Sequence, residues 1–129
     1  MTNTNANQDP GAFDPNVIDL SVIEMLRELG GDDDPGLVVE LIDLFLADAP
    51  SRIEEIQTGL RTGDFELLER AAHTLKSSSA NLGARELSQI CLELEDMGRK
   101  AEASSADQHA ERAQSAFEKT QEALVRLRA

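Results

Sequence analysis

Apolar residues recur at spacings of three and four along four successive stretches of this chain, and the breaks between them are short. No other feature limits the fold as strongly. Such stretches form amphipathic helices, and helices joined by tight turns pack antiparallel. The first long stretch runs Val38, Leu41, Ile42, Phe45, Ala49, Ile53, Ile56, Leu60 and keeps its phase through Pro50. It predicts one helix over about 35–61, kinked near the proline. The alternative is two helices, with Ser51 and Glu54 capping the second. Asp34 can cap the start and Pro35 fits the first helical position.

Thr62-Gly63 marks a turn, after which Asp64 caps a helix that runs to about Leu82 and ends at Gly83. Leu87, Ile90, Cys91, Leu94 and Met97 stripe the next helix, from about 84 to 100, and Gly98 is expected to weaken its last turn. Ala110, Ala113, Phe117, Thr120, Leu124 and Leu127 stripe the last, over about 106–128. A short helix precedes all four. Ser21 and Glu24 have capping-box spacing, Val22, Met25, Leu26 and Leu29 give an apolar side, and Gly30-Gly31 supplies the stop. That helix is too short to stand alone. Residues 1–16 carry no apolar period and read as a disordered tail, with Phe13 tacking its end to the bundle. The expected fold is all-α: an antiparallel four-helix bundle with an additional short N-terminal helix, in one domain over 17–129.

Composition excludes several function classes. A formal net charge of −13 makes nucleic acid and anionic membrane poor partners, since binding either needs basic patches. No apolar run approaches the roughly 20 residues of a membrane span. The N-terminus lacks the regions of a signal peptide, so the cytoplasm is the expected compartment. The single cysteine, Cys91, allows no internal disulfide and sits in an apolar pattern, as a buried thiol would. The two histidines, His73 and His109, lack the Glu-x-x-His pairing of a di-iron bundle and are too few for zinc, so no metal site is expected. No phosphate-cradling glycine loop is present, so the chain should not bind ATP or phosphorylate itself.

The informative stretch is 73–84. With Leu75 set at zero on a helix turning roughly 100° per residue, Phe65, Leu68, Ala72, Ser79 and Leu82 fall within roughly 80° and form the buried face. His73 falls roughly 160° away, so it should stand in solvent. Glu66, Ser77 and Ala80 share its side, with Glu69 and Lys76 at the flank. The serines Ser77, Ser78 and Ser79 cost a helix roughly 1–1.5 kcal/mol against alanine, which a purely structural helix could avoid. Small side chains beside an exposed imidazole let another protein's surface come close. A free imidazole is partly neutral near neutral pH, and its neutral ring nitrogen is a competent nucleophile. Lys76, three residues on, can offset charge on a phosphoryl group, and Glu69, four residues back, is placed to hydrogen-bond one ring nitrogen.

This stretch resembles the signature of histidine-containing phosphotransfer (HPt) domains, roughly His-x-x-Lys-Gly-x-x-x-x-x-Gly-Ala. His73, Lys76, Gly83 and Ala84 match it, while Ser77 stands where the family has glycine. The resemblance covers about 17–128 and implies the same bundle. It also implies that His73 accepts a phosphoryl group from an aspartyl phosphate of one receiver domain and passes it to another. The receivers would belong to a hybrid histidine kinase and a response regulator. Lys76 would assist electrostatically. Glu69, Ser77, Ala80 and Met25 would take part in receiver docking, Gly83 and Ala84 would be structural, and Mg²⁺ would come from the receiver. A monomer is expected. The competing readings are a non-catalytic adaptor that binds receivers or kinases, and a small hydrolase using His73 as base. Taken alone, His73 and Lys76 are ordinary surface residues, and His109 remains one.

Overall fold

The computed structural model describes residues 14–30 and 36–128. They form five helices: α1 (Leu20–Gly30), α2 (Leu37–Thr62), α3 (Phe65–Asn81), α4 (Arg85–Lys100) and α5 (Ala106–Arg128). No strand occurs among the described residues. Helix α2 packs on α3 and α5, and α4 packs on the same two, so the four close a ring; α1 lies against α2. Neighbours run antiparallel. Asp43, early in α2, pairs with Arg128 at the end of α5, while Gln57, late in α2, bonds the Ala110 carbonyl at the start of α5. Ile42, Ile56, Leu68, Leu75, Leu87, Leu94 and Leu124, one or two from each long helix, are fully buried in the common core.

Helix α2 is continuous through Pro50, which sets aside the two-helix reading. Proline inside a helix costs about 3 kcal/mol. Here Phe45, Ala49, Ile53 and Ile56 keep one buried face on both sides of it, and burying such side chains returns roughly 1.5–3 kcal/mol for each large one. The start predicted at Asp34 and Pro35 lies outside the described residues, as do Gly31, Phe13 and the rest of 1–13. Residues 14–16, expected in the tail, belong to a turn: the Val17 amide donates to the Asp14 carbonyl at 3.0 Å, and Val17 and Ile18 are buried.

Helix α1 differs from its expected form in two ways. Its cap is Asp19, whose Oδ1 accepts from the Ser21 amide at 3.0 Å and the Ser21 hydroxyl at 2.6 Å, rather than Ser21 acting with Glu24. Its buried residue is Ile23, while Met25 is 52% and Leu29 73% exposed. The apolar arc, from Met25 to Ile23, is wider than the surface it packs against, so spacing alone could not choose which part is buried. Docking chose it, because Asp19 donates its amide to Gly83 and Asn16 accepts from the Glu86 amide, both at 2.8 Å.

The α2–α3 turn forms as read: Gly63 takes a left-handed φ of 72° and Asp64 Oδ1 accepts from the Leu67 amide at 3.1 Å. Gly83, at φ 76°, does more than end α3. A Cβ there would lie 2.8 Å from the Asp19 carbonyl oxygen, so only glycine lets the segment before α1 seat on this turn. Gly98 corrects its expectation. Rather than a weak last turn, it is the crossing point of α4 on α3, where a Cβ would meet the Glu69 amide nitrogen at 2.8 Å and the Phe65 carbonyl oxygen at 2.9 Å. The actual end of α4 is Ala101, left-handed at φ 55°.

Candidate functional site

His73 lies midway along α3, on the face turned from the core, with its side chain 61% exposed. Leu75 and Ala72, its near neighbours, are fully buried, which fixes the helix rotation and holds the imidazole out. Ser79 faces inward, as read, and Ser77 and Ala80 stand exposed beside the histidine. The local sequence thus builds a rigid rod with a low rim.

Across the rim is a residue the sequence reading did not single out. Glu95 on α4 is 7% exposed, and its carboxylate bridges the site: Oε2 lies 2.7 Å from His73 Nδ1, and Oε1 accepts from Lys76 Nζ at 2.5 Å. Arg99 approaches the same carboxylate at 4.0 Å. The Lys76 hydrogen bond holds the Glu95 carboxyl below the usual range; burial opposes this, and the His73 hydrogen bond adds to it. An ionised carboxylate only accepts. His73 therefore carries its proton on Nδ1 and leaves the Nε2 lone pair open to solvent.

Glu69, expected at the ring, instead faces Arg99 at 3.8 Å. The ring leans onto the neighbouring helix rather than back along its own. His73 and Glu95 are 22 residues apart and lie equally far either side of Ala84. In a tight antiparallel hairpin such pairs face each other, so the signal was there, but it needed the turn to be fixed first. Glu95 also sits at the edge of the α4 stripe, where a carboxylate reads as an ordinary solvated residue.

Two grooves flank the exposed face of α3 and share Ala80. The larger, about 680 Å³, is apolar and lies between α1, α2 and α3, lined by Met25, Leu26, Leu44, Phe45, Ser78 and Ala80. Leu44 is 68% exposed there. The smaller, about 300 Å³, lies on the α4 side and holds Lys76, Arg85, Ser88 and Leu92. Sequence reasoning brought in Met25 but missed Leu44, because it lies off the α2 core stripe. His109 is remote in role: its Nδ1 meets the Ser105 carbonyl of its own helix start at 2.9 Å. The Cys91 thiol is buried and pushed up to about 12 by that burial, which leaves it inert at neutral pH. Among the described residues no three His, Cys, Asp or Glu side chains converge as a metal site, and no helix is long and apolar enough to cross a membrane.

The Glu95 bridge carries a prediction. With its pKa lowered in the fold, the stability it contributes is present above the ordinary glutamate range, about pH 4.3, and is lost as pH falls through the folded value. Glu95→Gln should therefore lose stability against the wild type at pH 7 by about 1 kcal/mol, and the difference should shrink as the pH falls below the ordinary glutamate range, as read by thermal melts at decreasing pH. A difference that stays constant down to acid unfolding would show that the carboxylate charge contributes nothing.

Comparison with known proteins agrees with this geometry. The Hpt domain model matches residues 40–129. Histidine-containing phosphotransfer protein 2 of Oryza sativa subsp. japonica is 37% identical over 73 residues, covering 55% of this chain and 48% of that protein. Multistep phosphorelay regulator 1 of Schizosaccharomyces pombe is 29% identical over 85 residues, covering 66% of this chain and 29% of that protein. The chain thus spans about half or less of the length of these curated relatives. The crystal structure of histidine-containing phosphotransfer protein B from Pseudomonas aeruginosa PAO1 superposes with a TM-score of 0.76 at 28% identity, covering 87% of this chain and 94% of that one. A match over most of its length, on a bundle that presents its one exposed mid-helix histidine as described, places this chain in the Hpt domain family.

Proposed function

We propose that this protein is a phosphorelay intermediate: His73 accepts a phosphoryl group from an aspartyl phosphate of one receiver domain and delivers it to an aspartate of another. The observation that carries this reading is the solvent-facing Nε2 of a ring whose other nitrogen is held by Glu95. In the forward step the Nε2 lone pair forms the N–P bond while the aspartyl P–O bond breaks, and the aspartate leaves as its carboxylate. The ring becomes a cation that keeps its Nδ1 proton, and the Glu95 carboxylate lies against that proton. Catalysis here is mostly positioning and charge stabilisation. Lys76 sets the charge and place of Glu95. The Mg²⁺ that such transfer uses belongs to the receiver in this proposal.

Docking uses the face described above. Ser77 and Ala80 keep the rim low, and the apolar groove with Met25 and Leu44 gives a receiver a surface to bury. Glu69, held near Arg99, sits at the edge of that face. The reading is tested by mixing the chain with a ³²P-labelled phosphorylated receiver and Mg²⁺. The expected product is a label on this chain that survives base and is lost in acid, as a phosphohistidine is. Binding of the receiver with no label on any residue would establish the adaptor reading instead.

A further inference from the structure

Lys76 is the cation that spacing assigns to the phosphoryl group, yet the structure commits it to Glu95 at 2.5 Å. Helix geometry sets another cation on the open side of the ring. Arg70 precedes His73 by three residues as Lys76 follows it by three, so on a helix the two lie roughly 60° to either side of the histidine. Lys76 is on the α4 side, since it reaches Glu95; Arg70 is therefore on the side away from α4. The imidazole points Nδ1 at Glu95, so Nε2, at the opposite edge of the ring, faces away from α4 as well. Arg70 is exposed and makes no hydrogen bond or ion pair among the described residues. Its nearest competitor by spacing is Glu66, one turn back, and no bond forms between them. Arg99, the other guanidinium near the site, already faces Glu69, Glu95 and Asp96.

We propose that Arg70 is the residue of this chain that contacts the phosphoryl group on His73, closing a clamp in which Glu95 holds one edge of the ring and Arg70 the oxygens at the other. A guanidinium offers paired donors to phosphate oxygens, and its contact forms as charge moves onto them. The proposal deepens the phosphotransfer reading and rests on it.

The test compares wild type, Arg70→Gln and Arg70→Lys with one phosphorylated receiver at saturating and limiting concentrations. The expected result is a maximal transfer rate about tenfold lower in Arg70→Gln, with partial recovery in Arg70→Lys and little change in the receiver concentration that gives half-maximal rate. The ³¹P resonance of the phosphohistidine should also titrate at a higher pH in Arg70→Gln, because a neighbouring cation favours the dianionic phosphate. A label on wild type and Arg70→Gln at equal rates and equal ³¹P titrations overturns the assignment while leaving the relay standing. A change confined to the half-maximal concentration also overturns it and makes Arg70 a docking residue. No label on wild type removes both.

Discussion

A His73→Gln chain takes no phosphoryl group from a labelled receiver, while its thermal stability stays within about 0.5 kcal/mol of the wild type. Both halves of this expectation come from the same geometry. The side chain is 61% exposed and lies outside the core, so its replacement opens no cavity. Glu95 keeps Lys76 as its partner, so no buried charge is orphaned. Yet the amide of glutamine is not a nucleophile, and no other side chain on the face supplies one: Ser77 is a hydroxyl without an adjacent base, and Cys91 is buried with its thiol pushed up to about 12. The measurement is incorporation of label over minutes alongside a melting curve. Equal labelling of the variant would move the acceptor elsewhere and remove the basis of the relay.

Gly98→Val is expected to carry the largest stability loss of any single change at the site's support, about 2–4 kcal/mol in chemical denaturation. Glycine in a helix interior ordinarily costs about 1 kcal/mol against alanine, so the naive expectation for Gly98→Ala is a gain. The crossing reverses the sign. A new Cβ would lie 2.8 Å from the Glu69 amide nitrogen and 2.9 Å from the Glu69 Cα, both backbone atoms of α3 that no rotamer change can move aside. The two helices must separate there. Gly98 and Glu69 stand about one turn from Glu95 and His73 respectively, so the separation also draws Glu95 away from the ring. Phosphotransfer should therefore fall in the folded fraction of the variant as well. A stabilised Gly98→Ala with full transfer would show that the crossing tolerates a methyl group and that its closeness has no bearing on the site.

The two predictions separate the chemistry from its support. Loss of His73 removes the reacting nitrogen and spares the bundle; loss of Gly98 spares every polar group and moves the frame. Glu95 lies between them, since its carboxylate serves both the fold and the ring, which is why its substitution is read by pH rather than by a single melt.

Sequence alone determined which segments are helical, which face of α3 is buried, and that His73 stands out in water. These follow from local periodicity, because a stripe such as Leu68, Ala72, Leu75 and Ser79 can be buried in only one way once the helix forms. It also carried the Asp64 cap and the breaks at Gly63 and Gly83, where backbone conformation is a property of the residue itself. Tertiary structure decided the rest. It chose Ile23, at one edge of the apolar arc of α1, as the buried residue by seating Asp19 on the Gly83 turn. It turned Gly98 from an apparent weakness into a contact, and it brought Glu95 to His73 from 22 residues away in place of Glu69. Each of these is a relation between two helices. It depends on the register in which they pack, and that register is set by the whole core rather than by either segment.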